Sequence, residues 1–503
     1  MPIPIVNSVA TWFLKKRIHQ MDLFYKYPNE VQNELLFDLL KMARSTELGK
    51  LYDYSSITTY AEFAKRIPVS SYEDLEPLIT RSRQGESNIF WPTVIKWFAK
   101  SSGTTNAKSK FIPVSQESLE DCHYKAGKDL LCVYLNNNPD SKLFTGKSLR
   151  LGGSKELYKE KGTYFGDLSA ILIDNMPFWA EISSTPSNEV SLMSEWEHKM
   201  QAIVNETVLE NVTSLAGVPS WMLVLLNQVL AHKNEATLDA VWSNLEVYFH
   251  GGVSFAPYKH QYQNIMPSSQ FYEIYNASEG FFALQDQNNS DELLLLLDYG
   301  IFYEFIDMST YHSNAPKVIP LSEVELHTNY AIVITTNAGL WRYKIGDTCK
   351  FTSLSPYRIK ITGRTKHFIN VFGEELIIEN AEDALRQVCG KTNSEIVDFT
   401  AAPIYMEGNE KGAHEWLIEF KKQPEDLHYF NELFDNALKA LNSDYEAKRY
   451  NNITLNKPKI NVAREKLFYD WMKQNNKLGG QHKVPRLSNT REYLDELMKL
   501  NIG

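Results

Sequence analysis

The chain has 503 residues, 43% of them hydrophobic and 23% charged, with a formal net charge of -10. A single core stops growing at about 250 to 300 residues, so at least two domains are expected. The acidic balance excludes nucleic acid as the main partner, because a phosphate backbone demands clustered Lys and Arg. Cys122, Cys132, Cys349 and Cys389 form no C-x-x-C pair and no metal-ligand grouping with the twelve histidines, and read as reduced, mostly buried thiols. No run of about 18 apolar residues occurs, and Lys15-Lys16-Arg17 follows the first apolar run instead of preceding it, the wrong order for a secretory signal. A cytoplasmic monomer with no membrane partner is expected.

Residues 7 to 50 carry apolar positions at helical spacing, among them Val31, Leu35, Leu36, Leu39, Leu40 and Met42, which predicts amphipathic helices over a sheet. Pro and Ser punctuation from Ile67 to Trp91 leads to Ser101-Ser102-Gly103-Thr104-Thr105, with Lys108, Ser109 and Lys110 beyond. Small and hydroxylated residues in a row can present N–H groups and hydroxyls to phosphates, or can be an ordinary turn. The motif G-x-x-x-x-G-K-[ST] is excluded, since Ser102 and Ala107 stand where its glycines belong. A helix is expected from Ser115 to Tyr134, with Ser115 as N-cap and Glu117 and Glu120 in its first turns.

From 145 to 300, apolar runs alternate with helical patterns (Leu168 to Ile173, Met193 to Val204, Trp221 to Leu230, Val247 to His250). That alternation predicts an α/β sandwich. Aromatics at Phe178 and Trp179 line an acyl pocket or belong to core. Phe249-His250-Gly251-Gly252 ends a strand with two glycines, either a plain turn or a close approach to a planar ring. Tyr272 to Gly280 is an alternating run ending in Asn276-Ala277-Ser278-Glu279. Asn276 replaces the first glycine of G-x-S-x-G, so a serine hydrolase is discounted, and Glu279 suits a hard cation such as Mg²⁺ beside phosphates. The Leu293 to Leu297 run is a buried strand.

Thr335 to Asp347 is expected to be a hairpin whose second strand runs into Gly346-Asp347. An Asp at a strand end accepts ribose hydroxyls, though Gly-Asp is also a common turn. Beyond Arg364, helices at Ile378 to Val388 and Tyr429 to Leu441 with a strand at Trp416 to Phe420 form an α+β set, which sets the boundary between domains 1–363 and 364–503. Leu478 to Leu487 is a glycine-bearing loop presenting Lys483, which by itself reads as solvated surface.

In this order the stretches resemble the acyl-adenylate-forming enzymes, which include acyl-CoA synthetases and luciferases. Within them the likeness is to the Gretchen Hagen three family of acyl acid amido synthetases. It is carried by Ser101 to Thr105 with Lys110-Phe111-Ile112-Pro113, by Ser278-Glu279, by Leu340-Trp341-Arg342-Tyr343 with Gly346-Asp347, and by Gln481, Lys483, Pro485 and Arg486. The stretch from Gly363 to Leu376, with Lys366-His367 and Gly373-Glu374-Glu375, looks more like the CoA ligases, so acceptor and hormone specificity are not carried over.

The resemblance implies an α/β fold: a large N-terminal adenylate-forming domain of two mixed sheets flanked by helices plus a small β-barrel, and a smaller mobile α+β C-terminal domain. It implies ATP and Mg²⁺ as cofactors, with a carboxylic acid and an amino acid as substrates. Ser101, Ser102, Gly103, Thr104 and Thr105 would hold phosphates, and Glu279 the Mg²⁺. Asp347 would clamp the ribose, while Gly251, Gly252, Tyr275, Asn276 and Ser278 would bind the nucleotide. Arg364 would sit at the hinge or reach the ribose, and Lys483 would be the mobile cation of the first step. The alternatives are a CoA ligase, a catalytically idle ATP-binding module, and an enzyme loading a carrier protein.

Overall fold

The computed structural model describes residues 17–101, 110–151, 158–191, 193, 196–256, 258–311, 313, 315–365, 368–407, 410–450, 454–475 and 484–502. A 12-stranded sheet runs through residues 147 to 364, beside a 4-stranded sheet of Lys110–Val114, Trp97–Ser101, Thr163–Gly166 and Tyr158–Glu160. In the large sheet Ser184–Thr185, Lys147–Arg150, Val212–Gly217, Val247–Gly251 and Gln270–Ala277 run parallel, and every later ladder is antiparallel. The strands Leu293–Leu295, Ile301–Asp307, Asn329–Thr336, Tyr343–Leu354 and Tyr357–Arg364 therefore continue this sheet; no ladder closes them into a separate barrel among the described residues. No described helix is long and apolar enough to cross a membrane.

Local chemistry explains how helices cover the sheet. Helix Pro28–Ala43 starts on a proline, which loses no hydrogen bond there, and buries Leu36, Leu39 and Leu40, while Met42 of the expected stripe faces solvent. Its Gln32 is anchored by donating to Leu297 O (2.7 Å) and Ile301 O (3.0 Å) and accepting from Tyr303 N (2.9 Å). Ser115 is the expected cap, its Oγ accepting from Ser118 N at 2.9 Å. The helix it starts passes through a π-helical segment, Ser118–Tyr124, before the regular turns of Lys125–Asn137.

A buried ion pair sits behind the antiparallel half. Arg342 Nε and Nη2 each lie 2.8 Å from a Glu304 oxygen, and Nη1 donates to Ala64 O (2.7 Å) and Ile67 O (2.6 Å). Tyr60 OH adds a hydrogen bond to Glu304 at 2.8 Å. Arg342, part of the stretch that carried the ribose resemblance, thus turns into the interior and staples the N-terminal helices to the sheet.

After Arg364 come a two-stranded ladder (Phe368–Ile369 with Leu376–Ile377) and a three-stranded sheet of Glu395–Ile404, Ala413–Lys422 and Lys459–Ala463, with helices Ile378–Thr392, Leu427–Leu441 and Ser443–Arg449. One hydrophobic core joins this part to the parallel half: Ile369, Val371, Phe372 and Leu487 belong to the same cluster as Leu223, Leu226 and Tyr262. Tyr258 OH donates to Val371 O at 2.7 Å, Ser220 Oγ to Phe372 O at 3.4 Å and Gln261 Nε2 to Met406 O at 2.5 Å.

Candidate active site

The parallel strands all point their carboxyl ends the same way, which in α/β sheets is where ligands bind. A cleft of about 1540 Å³ opens there, lined by the residues after Lys147–Arg150, Val212–Gly217, Val247–Gly251 and Gln270–Ala277 on one side and by Tyr405, helix Ser443–Arg449 and Asn489 on the other.

Gly251 and Gly252 form part of the floor. A Cβ on Gly251 would lie 2.4 Å from Ile274 O, and Gly252 has φ +83°, so both positions require glycine. Strand Gln270–Ala277 then brings Glu273, Tyr275, Asn276 and Ala277 to the cleft, and a two-residue hairpin turn, closed by the Ala277–Gly280 pair, presents Ser278 and Glu279. Burial lifts the Glu279 carboxyl to about 7 against the opposing pull of Lys110. Burial lowers the Lys110 pKa in turn, and Glu279 resists that shift. Both side chains line the cleft, and Lys110 pairs with Ser101 in the ladder of the small sheet.

Asp347 is the hydrogen-bonding centre. Its Oδ2 accepts from Tyr275 OH at 2.7 Å and its Oδ1 from Arg364 Nε at 2.8 Å. Arg364 Nη1 reaches Glu375 Oε2 at 3.5 Å. Burial works against the Arg364 charge, but Asp347 and Glu375 outweigh it and raise its pKa. Gly346-Asp347 does not end a strand as expected. The strand Tyr343–Leu354 continues past it, and an irregularity in the ladder to Asn329–Thr336, with Gly346 at φ +90°, aims Asp347 into the cleft. Each carboxylate oxygen keeps a lone pair, so two vicinal hydroxyls can still be held.

Of the residues predicted from sequence, Gly251, Gly252, Tyr275, Asn276, Ser278, Glu279, Asp347 and Arg364 share this cleft. Ser102, Gly103, Thr104, Thr105 and Lys483 lie outside the described residues, as do Lys366 and His367; Ser101 is described in its backbone alone, and so are Phe178 and Trp179. The sequence reading missed Asp167, Trp221, Glu273, Glu375 and Lys448, which also line the cleft. Asp167 carried one available signal, a carboxylate directly before a helical run; Lys448 sits on a short charged helix with no motif around it.

The residues fit a nucleotide. Gly251 and Gly252 present backbone without side chains at the cleft, and Asp347 offers acceptors to a ribose. For Mg²⁺ they offer Glu279, and a single carboxylate beside phosphate oxygens is a common way to hold that ion. Among the described residues, no group of three or more His, Cys, Asp or Glu is placed to bind a metal unaided.

Three family models match the chain: the GH3 family N-terminal domain over residues 17–271, the GH3 family central domain over 294–364 and the GH3 family C-terminal domain over 379–492. The chain is 20% identical to the indole-3-acetic acid-amido synthetase GH3.3 of Arabidopsis thaliana, with 96% of this chain and 93% of that protein covered. Its fold is similar to that of the GH3.15 acyl acid amido synthetase, with a TM-score of 0.60 at 17% identity over 94% of this chain and 93% of that one. It is also similar to 2-hydroxyisobutyryl-CoA ligase in complex with 2-HIB-AMP and CoA, with a TM-score of 0.55 at 13% identity over 94% and 91%.

Proposed function

The chain belongs to the GH3 family, and on that premise we propose that it is an ATP-dependent acyl acid amido synthetase. The observation that carries the reading is the meeting, in one cleft, of the Asp347–Tyr275–Arg364 cluster, the glycine floor, Glu279 and Lys110. In the first step a carboxylate oxygen of the acid forms a bond to the α-phosphorus of ATP. The bond to the bridging oxygen breaks, and pyrophosphate leaves with its electrons. In the second step the lone pair of an amine forms the C–N bond, the acyl carbon's bond to the AMP oxygen breaks, AMP departs, and the nitrogen loses one proton to water.

Each residue role follows from charge. The first step brings two anions together, so fixed cations and donors must surround them. Lys110 supplies charge from the N-terminal side and Arg364 from the hinge, and Ser101 to Thr105 are assigned to the β and γ phosphates. Asp347 holds the ribose, Gly251 and Gly252 face the adenine, Asn276 bonds its edge, Tyr275 supports Asp347, and Ser278 faces the α-phosphate. Glu279 would hold Mg²⁺, which when bound neutralises charge on the departing pyrophosphate. Lys483 is assigned as a cation carried in by movement of residues 364–503 relative to 1–363. We place the enzyme in the cytoplasm as a monomer.

The test is direct. Purified protein is incubated with ATP, Mg²⁺ and a panel of aryl and fatty acids, with either amino acids or CoA, and products are identified by mass spectrometry. Amides with AMP are the expected result. Thioesters in their place would move the chain to the CoA ligases, and nucleotide binding with no AMP release across the panel would make it an idle binding module.

A further inference from the structure

The wall of the cleft contributed by helix Ser443–Arg449 has no part in the roles above. Its Lys448 ammonium stands 4.1 Å from the centroid of the Trp221 ring, a cation held against an aromatic face by a residue from the opposite side of the cleft. Gly373, at φ +85°, leaves the space it needs: a Cβ there would meet Lys448 Cε at 3.3 Å and Nζ at 3.7 Å. Lys448 makes no ion pair among the described residues, although Asp444, Asp167, Glu374 and Glu375 all act on it electrostatically. Burial lowers its pKa, and those carboxylates oppose the shift.

Asp167 enters the same space from the other side. It directly follows strand Thr163–Gly166, which runs parallel to Trp97–Ser101 with Gly166 beside Ala99. Asp167 therefore leaves the small sheet at the edge toward which Trp97–Ser101 also runs, and it lines the cleft from there.

The charges of the whole cleft decide what fits between these two groups. Its lining cations among the described residues are Lys110, Arg364 and Lys448, against six carboxylates. Arg364 is bonded to Asp347 and Glu375, whereas Lys110 and Lys448 make no ion pair among the described residues, and Lys448 is the one that stands on the wall formed by helix Ser443–Arg449. A zwitterion places one charge of each sign and meets a complement for each.

We propose that Lys448 and Asp167 form the seat of the acceptor, an α-amino acid whose carboxylate lies on the Lys448 ammonium and whose amine faces Asp167, with Trp221 as the wall between. This rests on the amide-forming reading and deepens it. Lys448 is a specificity residue, because it reads the acceptor's carboxylate and leaves its side chain unread. The seat has one side on each part of the chain, so it is complete only when residues 443–449 stand over the cleft.

Amide formation is compared for α-amino acids and the matching α-amino amides, in the wild type and in Lys448→Met and Lys448→Arg, alongside acid-dependent pyrophosphate exchange without acceptor. Methionine keeps the stem length and loses the charge. The wild type is expected to favour the free acid at least tenfold in kcat/KM, the size of one charge-assisted hydrogen bond. Lys448→Met should abolish that preference through KM and lower the ratio of amide formation to exchange, and Lys448→Arg should keep most of it. Equal use of acid and amide by the wild type overturns the seat without any variant, so the test stands even where Lys448→Met fails to fold. A common loss in exchange and amide formation would assign Lys448 to the first step and also overturn the seat. Exchange with these failures leaves the adenylating reading intact, whereas no exchange with any acid overturns both.

Discussion

Two arginines on neighbouring segments, Arg342 and Arg364, each pair with a carboxylate at 2.8 Å, and they do opposite work. Arg342 and Glu304 are 4% and 1% exposed, and backbone carbonyls and Tyr60 complete their hydrogen bonds. Arg364 and Asp347 are 21% and 15% exposed and face the cleft, with acceptor capacity left over. A sealed, fully bonded pair fixes the fold, and an incompletely bonded pair in a cleft is available to a ligand. The same two residue types become a staple or a site according to what surrounds them.

The largest effect should come from breaking the sealed pair. Arg342→Met leaves Glu304 buried without its partner and should lower stability by about 3 to 5 kcal/mol in urea unfolding. Arg364→Met should cost about 1 kcal/mol or less while pyrophosphate exchange falls steeply. Equal destabilisation by the two variants would erase the contrast. Next in size, Asp347→Asn removes the charge of the carboxylate proposed to clamp the ribose. It should reduce kcat/KM for ATP in the exchange assay by roughly a hundredfold, the worth of one or two charge-assisted hydrogen bonds.

A smaller effect sharpens the comparison by pH. Burial lifts Glu273, a cleft carboxyl, from its ordinary value of 4.5 to about 7, so between these values the folded state binds more protons than the unfolded chain. Stability contributed by this group is therefore highest below about pH 4.5 and declines as pH rises to about 7, by up to about 3 kcal/mol. Glu273→Gln should remove that component from the pH dependence of unfolding; an unchanged profile would show that water reaches the carboxyl. The smallest effect belongs to the helix surface. Met42→Lys should change stability by no more than about 0.5 kcal/mol, because the side chain is 46% exposed.

What sequence could show follows the same division. Gly251, Glu279 and Asp347 were legible because their chemistry is local: a glycine where a Cβ would strike the next strand, and a carboxylate at the tip of a hairpin or on a ladder irregularity. Arg342 carried the family likeness but not its own role, since adjacency to Tyr343 and Asp347 says nothing about which face of the sheet a side chain takes. Its buried partner Glu304 lies 38 residues away. The alternation of strands and helices gave the α/β class, and Ser115 its cap, but how many strands share one sheet depends on ladders between distant segments, such as Leu293–Leu295 with Tyr357–Arg364. Lys448 and Trp221 were illegible for the same reason, being separated by 227 positions and joined only by the packing of one part of the chain on the other.

That packing has a kinetic consequence. Val371 and Phe372 lie in one core with helix Pro219–Lys233, and Tyr258 and Ser220 bond their carbonyls. If residues 364–503 swing between the two half-reactions, each swing must either carry this collar along as a fixed bearing or tear apolar contacts open and reseal them. The first arrangement makes turnover nearly indifferent to enlarging the cavity under Phe372. The second makes the swing a gate with a steep temperature dependence, so that the greasy bearing, and not the bond chemistry above it, sets the pace of the enzyme.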